Sequence, residues 1–434
     1  MPGAGRLHDF DPTQAFGHSP PGIPKMTIVR PLTAAALAAA LALGAAARAQ
    51  APAAPATASA IPILPLGHAL PPEPLLSKMR LDRSLGRFVA PYGSGKAILT
   101  IDPAVQGRLE QTLASFAVPW GATVLLDPAT GRVIAMAEHA ESDPGLLGGV
   151  FRARAPAASI FKIVTAAALL ERGLDPREPV CFHGGQHRLS PGLLQDDPRR
   201  DHRCLDLEAA FGHSANVVFA KLAGRLLSPA ELRAQAERFF FNASIPFEGA
   251  VEPSRATLPE DRFGMANAAA GFGEVRMSPL HGALLAAVVA NGGVLSPPRL
   301  VEAVEGGPTP AAHAPARIVD EGIAARLGEM MRATVTEGTG RRVFRRPPPS
   351  LRGVAVAGKT GSLFDRNPFR DWSWFVGYAP AEHPQVVVAT VIMNGPKWRV
   401  RAPWVAREAL AAWFEGRVAA ATPVALPGGA LAAR

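Results

Sequence analysis

The sequence predicts an α+β fold in which an antiparallel β-sheet is flanked by helices. Strand-like apolar runs cluster towards both ends of the ordered region, and long helix-like apolar segments lie between them. Consecutive strands are joined by short stretches rich in turn-forming residues, which is typical of antiparallel pairing. Because 48% of the 434 residues are hydrophobic, the chain can build a sizeable core.

The N-terminal region is predicted to direct export. Residues 1–25 are rich in Gly and Pro without periodicity, so they are either disordered or precede a natural start at Met26. Residues 26–49 combine a basic Arg30, an apolar run and an Ala47-Arg48-Ala49 cleavage pattern, which indicates a signal peptide. The apolar run is short for a bilayer span, which needs about 20 residues, and retention as a membrane anchor is the alternative.

Residues 50–85 form an Ala/Pro-rich segment that is predicted to be an extended linker. One domain is then expected over residues 86–416, followed by a disordered tail at residues 417–434.

Within that domain the elements follow in order. The stretch GATVLLDPATGRVIAMAEH (121–139) predicts two strands joined by a turn. SIFKIVTAAALLERG (159–173) predicts a helix that is apolar nearly all round and therefore buried. SPLHGALLAAVVANGG (278–293) predicts a second such helix, with Pro at its start and Gly after its end. Three strands are expected from GVAVAGKTGS (353–362), DWSWFVGYAPA (371–381) and QVVVATVIMNG (385–395).

The chain is basic, with a formal net charge of +9. Such a charge favours anionic surroundings, such as a membrane surface or an acidic polymer. The excess is spread thinly and forms no Lys/Arg block, so we expect no nucleic-acid binding. Only seven of the basic residues are Lys against 38 Arg, and a lysine, unlike an arginine, can lose its proton and act as a base.

One of these lysines lies in an apolar helix three residues after a serine. Ser159 and Lys162 would share a helix face, and a desolvated, neutral Lys162 could accept the serine proton. The alternative is that Ser159 caps the helix and Lys162 extends to the surface.

Two further short motifs follow. Ser214-Ala215-Asn216 precedes an apolar helical run, where it either serves a substrate or simply caps the helix. Lys359-Thr360-Gly361-Ser362 lies on a predicted strand, where it could bind a carboxylate and a substrate backbone, or mark a strand end. The letters around Lys359 also match a phosphate-binding loop, but no helix is predicted after them, so nucleotide binding is not expected.

S-x-x-K, S-x-N and K-T-G in this order are the signature set of serine penicillin-recognising enzymes. On these motifs, and on stretches such as LTIDPAVQGRLE and DWSWFVGYAPAEHPQVVVATVIMNG, the region 86–416 resembles the transpeptidase domain of high-molecular-mass penicillin-binding proteins. It looks like a class B member without a large N-terminal domain. The resemblance implies the antiparallel sheet with flanking helices and an additional all-helical subdomain.

The resemblance also implies roles for individual residues. Ser159 would be the acylated nucleophile and Lys162 its base, while Ser214 and Asn216 relay protons and place the substrate. Lys359, Thr360, Gly361 and Ser362 would bind the substrate, and the backbone N–H groups of Ser159 and Ser362 would form the oxyanion hole.

The expected activity is that of an exported D,D-transpeptidase or D,D-carboxypeptidase without cofactor or metal, located in the periplasm or cell envelope. Its partners would be peptidoglycan stem peptides, β-lactams and a peptidoglycan glycosyltransferase. A class D-like β-lactamase and a non-catalytic β-lactam sensor or scaffold are the alternatives.

The two cysteines, Cys181 and Cys204, precede the second motif. In an exported protein such a pair predicts a disulfide that closes the intervening loop. Free thiols, or a metal site with His183, His187 and His202, are the alternatives.

Overall fold

The computed structural model describes residues 72–141, 143–185 and 188–417. The predicted signal peptide, most of the predicted linker and nearly all of the predicted tail lie outside the described residues. No helix in the described part of the chain is both long and apolar enough to cross a bilayer.

The helices within the described residues are α1 (Pro72–Ser77), α2 (Pro103–Ser115), α3 (Lys162–Glu171), α4 (Leu207–Gly212), α5 (Asn216–Leu226), α6 (Pro229–Arg238), α7 (Arg262–Ala269), α8 (Pro279–Ala290), α9 (Glu321–Thr336), α10 (Arg341–Phe344) and α11 (Ala402–Phe414). The strands are β1 (Arg80–Asp82), β2 (Arg87–Tyr92), β3 (Gly95–Leu99), β4 (Trp120–Leu126), β5 (Val133–His139), β6 (Ala155–Pro156), β7 (Val180–Phe182), β8 (Arg203–Leu205), β9 (Arg255–Ala256), β10 (Val275–Met277), β11 (Val294–Leu295), β12 (Val301–Glu305), β13 (Ala316–Arg317), β14 (Ala357–Arg366), β15 (Phe369–Ala379) and β16 (Val386–Asn394).

The central sheet has five antiparallel strands in the order β14-β15-β16-β4-β5. This confirms the α+β prediction, including the hairpin of β4 and β5 and the three successive strands near the C-terminus. A second, four-stranded sheet has the order β1-β2-β3-β12. Strand β14, which carries the Lys-Thr-Gly motif, lies at the open edge of the central sheet.

Both faces of the central sheet are buried, and β16 is accordingly inaccessible along its whole length and mostly apolar. Val387, Ala389 and Val391 face one hydrophobic cluster, which includes residues of α3, α5 and α8. Val388 and Ile392 face a second cluster, which includes residues of α2 and α11. Helix α8, predicted to be buried, lies in the first cluster with almost every residue inaccessible.

The predicted boundary at residue 86 is too late. Within the segment predicted as a linker, α1 and β1 are ordered, and Leu81 of β1 pairs with Phe88 of β2. Leu75 of α1 is only 2% exposed and belongs to the core. Ala/Pro composition does not predict these short elements, because their stability comes from tertiary packing and strand pairing.

The helix predicted from Ser159 begins three residues later, at Lys162. A 3₁₀ turn, Ala158–Phe161, precedes it and continues into α3. Ala158 at its start has a φ of 48°, in the left-handed region that L-residues rarely adopt. Ser159 is therefore held in a tight turn between a strained residue and the buried helix.

Candidate active site

The first motif forms a contact pair at the junction of the 3₁₀ turn and α3. Lys162 is fully buried, while Ser159 is partly exposed. The Lys162 Nζ atom lies 2.9 Å from Ser159 Oγ and 2.7 Å from Asn216 Oδ1, and it also donates to the Ala270 carbonyl. The alternative in which Lys162 extends to the surface is therefore wrong.

The three partners of Lys162 suit a neutral amine. Burial lowers the pKa of Lys162 well below its ordinary value of 10.5, and the charge of Lys359 lowers it further. The oxygens of Asn216 and Ala270 can only accept, so they take the two N–H groups of a neutral amine. Ser159 alone has a proton to give, and the amine lone pair is left to receive it.

The Ala270 carbonyl reaches Lys162 because the next residue is Gly271. Its φ is +96°, and a Cβ atom at this position would lie 2.1 Å from the carbonyl oxygen of Ala158. Only glycine allows this approach of the chain after α7 to the turn that carries Ser159. The sequence interpretation missed this contact because it depends on backbone placed by tertiary structure.

The second motif lies between two helices. Ser214 follows α4 with a φ of 57°, and Asn216 begins α5. Neither side chain caps α5, whose N-cap residue is Ala215 without a side-chain hydrogen bond. The capping alternative is therefore wrong, and both side chains point to lysines instead: Asn216 accepts from Lys162 and Ser214 from Lys359.

The third motif brings Lys359 to Ser214 from β14. Its Nζ atom donates to Ser214 Oγ at 3.1 Å and to the Thr360 carbonyl at 3.1 Å, and it lies 5.2 Å from the centre of the Phe211 ring. The side chain is fully buried, and burial lowers its pKa to about 7. The Nζ atom of Lys359 therefore faces the second motif, and its contact with a substrate carboxylate stays a prediction.

The rest of the motif forms the exposed rim of the site. Thr360 and Ser362 alternate with the buried Gly361, as expected for a strand. A Cβ atom on Gly361 would lie 3.2 Å from Ile160, so glycine lets β14 pack closely against the turn of Ser159. All three motifs thus converge on one site, as the sequence predicts.

Thr339, which belongs to none of the three motifs, connects the end of α4 to the third motif. The backbone N–H of Thr339 donates to the carbonyl of Gly212 at the end of α4, 3.1 Å away. Its hydroxyl lies 2.5 Å from the hydroxyl of Thr360 on β14. Thr339 therefore holds the Thr360 hydroxyl in place at the rim of the site.

We expect Thr339→Val to lower the rate of acylation by up to about tenfold, because one hydrogen bond contributes roughly 1 kcal/mol. Stopped-flow acylation by a penicillin measures this rate. Thr336→Val is the matched control, since that exposed hydroxyl bonds only within α9. Equal rates for Thr339→Val and the control would contradict the assigned role.

The two cysteines face each other across the short ladder of β7 and β8. Their sulfur atoms lie 1.99 Å apart, which is a bonding distance. Lys221 of α5 donates to the carbonyl of Cys181 and to Asp201. The bridged loop is thereby attached to the helix that begins with Asn216.

Replacing both cysteines with serine should lower the free energy of unfolding by about 3 kcal/mol. The disulfide joins residues with a sequence separation of 23, and without it the unfolded chain is no longer restricted. Urea unfolding under oxidising conditions measures the change. Reduced wild-type protein should match the double variant, and an unchanged midpoint would mean that the bridge does not stabilise the fold.

Comparison with known proteins identifies the family. The family model described as the penicillin binding protein transpeptidase domain matches residues 121–411. The peptidoglycan D,D-transpeptidase PbpA of Mycobacterium tuberculosis is 27% identical over 361 residues, which cover 72% of this chain and 71% of that protein.

Solved structures agree. The D,D-transpeptidase domain of a peptidoglycan glycosyltransferase from Eggerthella lenta is 28% identical with a TM-score of 0.58, covering 74% of this chain and 83% of that one. The ceftriaxone acyl-enzyme of penicillin-binding protein A from Mycobacterium tuberculosis is 25% identical with a TM-score of 0.61, covering 75% and 80%. The three converging motifs and these likenesses together show that the chain belongs to the penicillin-binding protein transpeptidase family.

Proposed function

We propose that the protein is an exported serine D,D-transpeptidase that acts on the D-Ala-D-Ala ends of peptidoglycan stem peptides and is acylated by β-lactams on Ser159. Its relatives include peptidoglycan D,D-transpeptidases and a β-lactam acyl-enzyme. The observation that carries the proposal is the 2.9 Å contact between Ser159 Oγ and the buried Nζ of Lys162.

In the acylation step, Lys162 accepts the proton of Ser159 while Oγ attacks the carbonyl carbon of the penultimate D-Ala. The carbonyl oxygen becomes an oxyanion, which the backbone N–H groups of Ser159 and Ser362 stabilise. Collapse of this intermediate forms the ester and breaks the peptide bond. The departing D-Ala nitrogen takes up the proton.

We assign the relay of that proton to Ser214, whose hydroxyl accepts a hydrogen bond from Lys359. Asn216 accepts a hydrogen bond from the Nζ of Lys162. We assign to it also the binding of the substrate amide. An amine of a neighbouring stem peptide then attacks the ester, which releases Ser159 and forms the cross-link. Attack by water instead would make the protein a carboxypeptidase.

Labelling with a fluorescent penicillin tests the proposal. We expect a covalent adduct that persists for hours in the wild type and is absent in Ser159→Ala. Rapid loss of the adduct with hydrolysed antibiotic would identify a β-lactamase, and no adduct at all would identify a scaffold.

Location and partners belong to the same proposal. Relatives of this chain include peptidoglycan D,D-transpeptidases, and we propose that residues 26–49 direct the protein to the periplasm or cell envelope. We propose as its partner a glycosyltransferase that supplies nascent glycan strands.

A further inference from the structure

We propose that the exposed side chains of residues 341–346 and 397–404 form a docking surface for a bilayer that contains anionic phospholipids. We call it the basic-aromatic surface. It lies beside the candidate active site, because Thr339, whose hydroxyl contacts that of Thr360, precedes α10 by two residues. The inference goes beyond the proposed reaction and does not require it, since the surface contains none of the residues assigned to acylation.

Helix α10 and the turn after it carry most of the charge of this surface. Arg341, Arg342, Arg345 and Arg346 are exposed, and the pairs that are four residues apart share one side of the helix. On the opposite side Phe344 is buried in the second hydrophobic cluster, which attaches α10 to the domain. Like charges at this spacing repel each other, so an anionic partner would stabilise the helix.

The described part of the chain does not neutralise these four arginines. No carboxylate within residues 72–141, 143–185 and 188–417 forms a salt bridge with any of them. Residues 338–353 contain five arginines and no Asp or Glu, and residues 395–407 contain one lysine, three arginines and no Asp or Glu. The two segments lie far apart in sequence, but the fold brings them together.

Arg407 of α11 connects the two segments. Its guanidinium group donates to the carbonyl oxygens of Val343 and Arg346, at 3.2 and 3.3 Å, and its own charge is paired with Glu408. The same group stacks on Trp404 and lies 3.9 Å from the centre of the ring. The arginines of α10 and the indole of Trp404 are therefore held next to each other.

Aromatic side chains complete the surface. Within the described residues, the exposed large aromatic side chains are Phe364, Phe369, Trp398 and Trp404, and the two tryptophans are 54% and 44% exposed. Phe364 and Phe369 stack at the tip of the hairpin of β14 and β15, next to the end of β16 that leads to Trp398.

This combination is typical of the interface of a bilayer. Indole rings bury their apolar part among the lipid headgroups, and guanidinium groups bind phosphate through paired hydrogen bonds. A purely polar polyanion would use the arginines but would leave the exposed rings in water. The chemistry of the surface therefore favours an anionic phospholipid bilayer.

Vesicle binding of the full chain tests the proposal. The probes are vesicles of phosphatidylcholine alone and vesicles of an equal mixture of phosphatidylcholine and phosphatidylglycerol. Lipid titrations give a partition coefficient for each, and their ratio removes the contribution of uncharged apolar segments, which bind both vesicles alike. The test variant combines Arg341→Gln, Arg342→Gln, Arg345→Gln and Arg346→Gln.

The matched control removes the same number of charges from exposed arginines in other parts of the chain. It combines Arg80→Gln, Arg83→Gln, Arg199→Gln and Arg200→Gln. Urea unfolding of both variants confirms that they are folded.

We expect the wild type to prefer the anionic vesicles and the test variant to lose roughly 100- to 1,000-fold of that preference, because each arginine near an anionic surface contributes about fivefold. The control should lose less than about tenfold, since its arginines act only through long-range attraction that salt screens.

Tryptophan fluorescence locates the contact. Brominated phosphatidylcholine in the anionic vesicles should quench the emission of the wild type. Combining Trp398→Phe with Trp404→Phe should remove most of this quenching, because the other tryptophans are buried or half-buried.

Equal preference for anionic vesicles in the test and control variants, or no quenching of the wild type, would overturn the proposal. Binding to isolated peptidoglycan that depends on the four arginines, without binding to anionic vesicles, would also overturn it and assign the surface to an acidic glycan. None of these outcomes bears on the acylation of Ser159, which penicillin labelling measures separately.

Discussion

Lys162→Arg is expected to lower the rate of Ser159 acylation roughly 1,000-fold, because general-base catalysis contributes about 10²- to 10⁴-fold. The substitution keeps a basic side chain next to Asn216 and the Ala270 carbonyl. A guanidinium does not lose its proton under physiological conditions, so it cannot accept the proton of the serine. Quenched-flow labelling with a fluorescent penicillin measures the rate.

The chain offers a matched control for this prediction. Lys221 is another fully buried lysine, but it lies away from Ser159 and forms a salt bridge with the carboxylate of Asp201. Lys221→Arg should therefore change acylation only a few-fold. If Lys162→Arg were acylated as fast as the wild type, Lys162 would not be the base.

Gly271→Ala should destabilise the fold by roughly 3 kcal/mol or more, since it combines a strained positive φ with a backbone collision. The added Cβ atom would lie 2.1 Å from the carbonyl oxygen of Ala158, and neither group is the end of a flexible side chain. Because the collision displaces the turn of Ser159, the surviving folded protein should also lose about 100-fold in acylation rate. Urea unfolding and penicillin labelling measure the two effects.

Gly273 is the matched control, because it has a positive φ but no neighbouring backbone for an added Cβ atom to collide with. Its φ is +76°, but a Cβ atom there would meet nothing within 4 Å. Gly273→Ala should therefore cost only about 1 kcal/mol and leave acylation nearly unchanged. A Gly271→Ala protein that behaves like Gly273→Ala would show that the turn can move without consequence for the site.

Much of the sheet can be predicted from local pattern. Strand β16 is mostly apolar on both faces, which predicts burial on both faces, and that is how β16 is packed. Local pattern does not predict the N-terminal end of the domain. Helix α1 and strand β1 are short elements in a Pro-rich stretch, and their order depends on partners such as β2 that local pattern does not identify.

In the candidate site, too, some features can be predicted from the sequence and others cannot. Ser159, Lys162 and Ser214 belong to short motifs, so residue type and spacing were enough to single them out. The contacts that set their chemistry come from distant parts of the chain. The Ala270 carbonyl and Thr339 belong to no motif, because backbone groups and lone threonines carry no local signal.

The start of the nucleophile helix shows a further limit. Periodicity favours a helix through Ser159, but the structure has a 3₁₀ turn there, preceded by Ala158 in a left-handed conformation. Such a conformation is unfavourable for alanine and is imposed by the packing of β14 and Gly271 around the turn. Helix propensity does not predict backbone strain of this kind next to a reactive residue.

Ser159 is proposed to be the acylated nucleophile of a site built from the three motifs. Mass spectrometry of the penicillin-treated protein, followed by digestion and peptide mapping, tests it most directly. We expect one added penicilloyl group, located on the peptide that contains Ser159-Ile160-Phe161-Lys162, and none in Ser159→Ala. An adduct on any other residue, or one that persists in Ser159→Ala, would show that Ser159 is not the nucleophile.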